Sequence, residues 1–457
     1  MSIKLFQKKT LRYYYWLVIE FAKKHSRLII LSSLVTLLFM VSFVSLSPYI
    51  TNLFLTTKQT IGIMGNYDYN NLPEEITTKI SNGLISINNK GEITPTIATS
   101  WEVLNNGLTY RFHLRNNLIW SDGEKFSANQ IKYNFKDVTT DVIDDKTIEF
   151  KLKKALPIFP TYLKDPLLKY PLVGVAGLYK VDKIKTKFGY IRELFLTSNL
   201  KDASSIVYKF YDNETHLIAA YKTGDIQQFS TSKNTIADIF AKWKNTVVVK
   251  DVNYNRLMTL FYNIDQPELK DKEIRQAVSA VIDQSVFKNL GEAATGPIPP
   301  ISWAYDQNLK RQDYDPELAQ KVIKKNLPAT SSAALNFTTY YDYLDVASTI
   351  ADALNKAGLK TNLSTISYDK ATNFDMLLAL WKVPLDPDQY YFWHSTQTEG
   401  NISNYKNVKI DLLLEQGRNT LSLSDRKKIY ADYQKTIQDD PPAYFLFYPY
   451  NYTVKRK

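Results

Sequence analysis

Residues able to do chemistry are few in this 457-residue chain, and their types argue for recognition rather than catalysis. There is no cysteine, which removes disulfides, thiolate metal sites and cysteine nucleophiles. The four histidines, His25, His113, His216 and His394, lie far apart in sequence, so no histidine metal site is expected. No glycine-rich phosphate loop, GxSxG elbow or HExxH zinc pair occurs. The acidic pairs Asp386/Asp388 and Asp439/Asp440 have the residue types of a glycosidase. Acids this close together in loops are usually solvated or capping, so no catalytic residue, metal or cofactor is expected. What the chain has in abundance is aromatic: 32 Tyr and 22 Phe. Most must be core, but a surplus of tyrosine suits a wet cleft, where an apolar ring and a hydroxyl are both useful.

The elements that would position such a cleft are clearest between Ala98 and Phe135. Leu108, Tyr110, Phe112 and Leu114 alternate with Thr109, Arg111 and His113, the period-two pattern of a half-buried strand. Asn105-Asn106-Gly107 before it and Ser121-Asp122-Gly123 after it are turn signals. Ser127 reads as the N-cap of a helix with Ile131 and Phe135 on one face. A second strand is expected over Thr147 to Leu152.

The formal charge is +11, unevenly placed. Within residues 1–27 seven basic residues face Glu20 alone, giving +6 and leaving +5 for the rest of the chain. The basic residues of the body are dispersed and form no nucleic-acid module, so no nucleic-acid partner is expected. From Leu28 to Leu46 the chain is uncharged and mostly apolar, long enough for a hydrocarbon core of roughly 30 Å. The cluster Tyr13-Tyr14-Tyr15-Trp16 and the neighbouring lysines suit a headgroup region. Ser45 and Ser47 are small enough for signal peptidase, but Pro48 would follow the cut. The run also exceeds the roughly 7–15 apolar residues of a signal peptide. An uncleaved anchor is therefore expected, with the basic leader inside and the body outside the cytoplasmic membrane.

The segments Ala98–Trp101, Asn106–Arg115 and Trp120–Ile131 resemble, in order and spacing, the signature region of the family 5 extracellular solute-binding proteins, the peptide-binding and related receptors of ABC importers. Asn106 and Gln130 stand where that family has Asp. Leu257–Phe287 (LMTLFYNIDQPELKDKEIRQAVSAVIDQSVF) is a second match, with Asp271 capping a helix whose apolar face is Ile274, Ala277, Val278, Val281 and Ile282. Asn82-Gly83-Leu84, the crossing segment Pro171–Tyr179 with Gly174 and Gly177, Gly224-Asp225-Ile226, Tyr314-Asp315-Pro316 and Phe374–Trp393 fit the same pattern. Arg275 reads as a helix-surface or domain-locking charge rather than a ligand contact.

The resemblance implies an α/β, two-lobed periplasmic-binding-protein-like fold (type II, family 5) with a small extra domain, preceded by one N-terminal transmembrane helix. The expected division is a cytoplasmic leader 1–27, an anchor 28–47, lobe I from 55–97, 171–256 and 440–457, the small domain 98–170, and lobe II 257–439. It implies capture of a peptide or similar small solute between the lobes, delivery to an ABC permease, no catalysis, and a monomer. It places ligand contacts at Tyr340, Tyr341 and Tyr343, around Trp381, and near Asn82 at the cleft edge. Peptide receptors of the family hold the α-amino group with an aspartate three residues after the Trp. Pro384 stands there, so the amine anchor is either shifted to Asp386 or gone. A receptor for an oligosaccharide or metal chelate, and a sensory or structural surface protein, stay open as alternatives.

Overall fold

The computed structural model describes residues 8–54, 58–201, 203–327, 334–367, 371 and 373–457. The chain divides into two compact units, Met1–Gln59 and Thr60–Lys457. The first unit contains helices Lys8–Lys24 and Ser26–Phe54. Ser26–Ser45 is apolar, with its side chains open on all sides, and its 20 residues match the core of a bilayer. Its hydroxyls bond back to the helix: Ser32 Oγ donates to the Ile29 carbonyl at 2.9 Å and Thr36 Oγ1 to that of Ser32 at 2.7 Å. Such bonds would satisfy these hydroxyls in a bilayer's hydrocarbon core.

The second unit is organised by one 12-stranded sheet. One half orders strands Tyr179–Lys187, Tyr190–Ser198, Ser205–Tyr211, Lys58–Met64 and Gln228–Thr231. The other orders Arg256–Tyr262, Met376–Lys382, Leu335–Tyr340 and Thr361–Ile366. The C-terminal strand Ala443–Arg456 is shared by both halves. Its end pairs antiparallel with Gln228–Thr231 (Gln228 opposite Lys455), and its beginning with Arg256–Tyr262 (Phe261 opposite Ala443).

In the second half the strands are covered on both faces, which is why LMTLFY and MLLALW read as continuous apolar runs. Met258, Leu260, Phe337 and Leu378 pack with helices Lys272–Ala280, Pro316–Asn326 and Leu344–Lys356. Leu257, Phe261 and Leu377 pack on the opposite face with Val408–Asn419, Leu423–Asp439 and the aromatic stretch holding Trp393 and Tyr405. Asp271 caps its helix, accepting from the Glu273 N–H at 2.9 Å, and Asp315 does the same for Leu318 at 2.9 Å. Arg275 is 3% exposed and donates to the carbonyls of Leu269, Lys270 and Pro441 and to the Asp440 carboxylate, tying this helix to the approach of the C-terminal strand.

The small domain is a four-stranded antiparallel sheet in the order Ala98–Leu104, Thr109–Leu114, Thr147–Leu152, Val138–Asp144. Tyr110, Phe112 and Leu114 point into its core, as the alternation predicts. Leu108 does not: it belongs to the tight turn, where Asn105, Asn106 and Gly107 all take positive φ, and stays exposed. The helix expected after Ser127 is absent. Only a single 3-10 turn, Ala128–Gln130, forms, with the Gln130 side-chain oxygen accepting from the Ser127 N–H at 3.1 Å. Beyond it the chain is held extended by tertiary contacts. The Tyr133 hydroxyl donates to the Leu163 carbonyl at 3.0 Å and accepts from the Leu84 N–H at 3.2 Å, while Tyr133 stacks on Phe135. Aromatic packing overrides a four-residue periodicity that local propensity supports only weakly.

Candidate functional site

At the exit of strand Met376–Lys382 the chain builds a cleft from aromatic side chains. Trp381 lies in register with Leu257 on the neighbouring strand, and its indole N–H donates to Thr259 Oγ1 at 3.0 Å. That bond fixes the ring plane and satisfies a donor that would otherwise be buried unpaired. Phe392 stands edge-on to it, with centroids 4.6 Å apart, and Trp393 and Phe261 complete the cluster at 6.0 and 6.3 Å. Tyr340 ends strand Leu335–Tyr340, and Tyr343 closes the 3-10 turn that follows, the two rings 6.5 Å apart. Phe261, Tyr340, Tyr343, Trp381 and Phe392, with Tyr391, Glu399 and Gly400, line a cavity of about 430 Å³. Burial, and then the neighbouring Asp342, push the Tyr343 hydroxyl above its ordinary pKa, so it stays a neutral hydrogen-bonding group.

The structure thus brings Trp381, Tyr340 and Tyr343 together. It does not bring the other three expected residues to them. Tyr341 opens the 3-10 turn with its ring 77% exposed and lines no part of this cavity. Asn82 lies at a chain crossing: its side-chain amide donates to the Ala176 carbonyl at 2.6 Å and its N–H to that of Val175 at 3.1 Å, while its own carbonyl accepts from Leu167 at 3.0 Å.

Asp386 is 8% exposed and paired with Arg426, whose Nη2 reaches Oδ1 at 2.9 Å; the Asp388 N–H reaches the same oxygen at 2.9 Å. Burial pushes the Asp386 carboxyl up from its usual range, with Arg426 pulling the other way. An ammonium would have to displace the guanidinium to use it. The other acids are engaged as well: Asp388 with Arg418 Nε at 2.9 Å, and Asp440 with Arg275 and with Asn407 at 2.7 Å. Neither acidic pair offers two free carboxyls flanking a substrate bond. Phe261, Tyr391, Phe392 and Glu399 enter the site without a distinctive motif; the aromatic density of QYYFW is the nearest signal.

Beside Trp381, three parts of the chain meet on one carboxylate. Glu74, on helix Glu74–Ile80, accepts from Lys164 of the small domain at 2.8 Å and from Lys382 at 2.7 Å. Hydrogen bonds from Lys164 and then Lys382 hold its pKa down at about 2. Because the folded value lies below the unfolded one, the stabilisation is present above about pH 4.5 and is lost as pH falls through about 2. The difference in urea midpoint between wild type and Glu74→Gln is therefore expected to hold level from neutrality down to about pH 4.5 and to narrow as the pH falls from there toward about 2. A difference constant with pH would contradict this pairing. A further tie fastens the turn between strands Ile85–Ile87 and Ile93–Pro95 to the second half of the sheet: Trp303 donates from its indole to the Gly91 carbonyl at 3.2 Å and from its backbone to that of Lys90 at 2.9 Å.

A two-lobed α/β scaffold with an aromatic cavity and an ion pair that joins the halves is the architecture of a solute-binding-protein fold. The model for bacterial extracellular solute-binding proteins, family 5, matches residues 92–141 and 136–403, and the chain belongs to that family. It is similar to the oligopeptide-binding protein AppA of Bacillus subtilis, 24% identical over 282 residues, 54% of this chain and 51% of AppA; the matched stretch spans about half of that relative. Among solved structures, NikZ from Campylobacter jejuni in complex with Ni(L-His) superposes with a TM-score of 0.72 at 22% identity, over 88% of this chain and 94% of that one. AppA from Bacillus subtilis in complex with a nonapeptide gives 0.68 at 19% identity, with the same coverage. A metal chelate and a nonapeptide on one fold mean that the fold alone does not select the ligand.

Proposed function

We propose that this protein is a monomeric, membrane-tethered, extracytoplasmic receptor that captures peptides or similar small solutes between its lobes and delivers them to an ABC permease. The observation that carries the reading is the aromatic cavity of Trp381, Tyr340, Tyr343 and Phe392, lined in part by strand Met376–Lys382, whose last residue bonds Glu74. Flat rings offer apolar surface to side chains of many shapes, while a peptide backbone is held by strand-like main-chain bonds that require no particular side chain. Ligand touching both halves stabilises the closed arrangement and so couples binding to closure. Helix Ser26–Ser45 supplies the tether, and the +6 leader supports an inside N-terminus.

Native mass spectrometry of the full chain in detergent with a mixed peptide library tests the reading. Retained peptides at one per chain are expected, with retention reduced at least about tenfold by Trp381→Ala, a loss of about 1.4 kcal/mol or more. A folded protein that retains no peptide would overturn it.

A further inference from the structure

Helix Lys8–Lys24 presents more apolar surface than a tether's leader needs: Tyr14, Trp16, Val18 and Phe21 are each more than half exposed. At about 100° per residue, Tyr14, Leu17, Val18, Phe21 and Ala22 fall within one arc of roughly 140°. Arg12, Glu20, Lys23 and Lys24 fall within about 120° on the opposite side. Tyr13 and Trp16, whose rings each carry a polar atom, share the charged arc. Glu20 meets Lys23 only at 3.7 Å, between well-exposed side chains, so water screens the pair and the cations stay available. The helical run is interrupted at His25, one residue before the apolar helix begins at Ser26. A leader continuing along the anchor's axis would hold its apolar arc in water as fully as its charged one. A leader turned flat onto the bilayer would give each arc the medium it suits.

We propose that helix Lys8–Lys24 lies along the inner membrane surface, with Tyr14, Leu17, Val18 and Phe21 among the acyl chains. Arg12, Lys23 and Lys24 then rest on the headgroups of anionic phospholipids. Apolar insertion and charge attraction together hold an amphipathic helix at an interface, and this helix carries both. Tyr13 and Trp16 come to headgroup level, where half-polar rings are favoured. A groove on another protein would cover the apolar arc equally well. The cations of the opposite arc, and an apolar helix long enough to span a bilayer two residues beyond Lys24, favour lipid. The inference rests on the reading of Ser26–Ser45 as a tether with its leader inside. It adds a second attachment, one that reads lipid charge and fixes the anchor's inner end at the surface.

Because the chain has no cysteine, single cysteines in the full chain can be spin-labelled one at a time. Val18→Cys, Phe21→Cys, Glu20→Cys and, as a control in the anchor, Val35→Cys are placed in nanodiscs of phosphatidylglycerol and phosphatidylcholine. Electron paramagnetic resonance then compares each label's accessibility to oxygen, which enters lipid, with that to a water-soluble nickel chelate. Oxygen is expected to dominate at positions 18, 21 and 35, and the chelate at position 20. Adding Arg12→Gln, Lys23→Gln and Lys24→Gln to Val18→Cys should lower its oxygen-to-chelate ratio at least about threefold, as should phosphatidylcholine alone. Equal, aqueous values at positions 18 and 20, with position 35 still in hydrocarbon, would overturn the inference and leave the tether standing. A label at position 18 shielded from both reagents would mean a protein partner and overturn the lipid assignment. A ratio at position 18 unchanged by phosphatidylcholine alone and by the three glutamines would overturn the anionic partner. Aqueous values at position 35 would overturn tether and inference together.

Discussion

Arg426→Met is expected to destabilise the protein by about 3–5 kcal/mol, because it strands a buried carboxylate. Arg426 is held by the Gly417 carbonyl through Nε at 3.0 Å and by Asp386 through both terminal nitrogens, and its guanidinium lies over the Trp303 ring at 5.1 Å. Removing it leaves Asp386, among the described residues, with the Asp388 N–H alone. The double substitution Asp386→Leu/Arg426→Met is expected to recover much of the loss, since a buried ion pair can be replaced by apolar groups at little net cost while half a pair cannot. Urea unfolding of wild type, both single variants and the double variant gives the coupling directly. A single-variant effect below about 1 kcal/mol would mean a solvent-screened pair, and Asp386 would then be available to a ligand.

The second large effect is expected at Gly177, where alanine should cost about 3 kcal/mol or more through overpacking against backbone. A methyl group on Gly177 or Gly174 would be driven into the carbonyl of Ile80, the last residue of the helix that carries Glu74. Backbone cannot turn aside as a side chain can, so the crossing segment must move. Ser81 and Asn82 bond to the same segment, and displacing it would also carry Glu74 away from Lys382. Gly296→Ala is the control: its nearest neighbour is a Leu309 methyl at 3.5 Å, an ordinary contact. Thermal melts should separate the two variants clearly, and equal melting temperatures would contradict the crossing described here.

Much of this architecture is written locally. The strand Thr109–Leu114, the caps Asp271 and Asp315, and the αL stop at Gly224 each follow from residue type and spacing. The hairpin Tyr179–Ser198 is harder to read, because register shifts at Val181/Lys183 and Lys185/Thr186 break its period of two. Helix Val408–Asn419 carries Gly417, a poor helix former, because the Tyr430 ring packs where a side chain would sit.

The site is less legible than the fold. Trp381 and Tyr340 stand at strand ends and Tyr343 closes the next 3-10 turn, and the family resemblance rather than local pattern singles them out. Whether an acid is free or spent depends on partners tens of residues away, as Arg426 is for Asp386, and no local spacing encodes that. Glu399 is an isolated acid in a loop, and only the assembled fold places it among the rings.

The most direct test of capture between the lobes is hydrogen exchange on the full chain, with and without a retained peptide. The account predicts slowed exchange on both sides of the cleft together, at residues 340–343, 379–382 and 391–402 and at residues 74–83, and the loss of both effects in Trp381→Ala. Protection confined to one side, or located away from these segments, would contradict it.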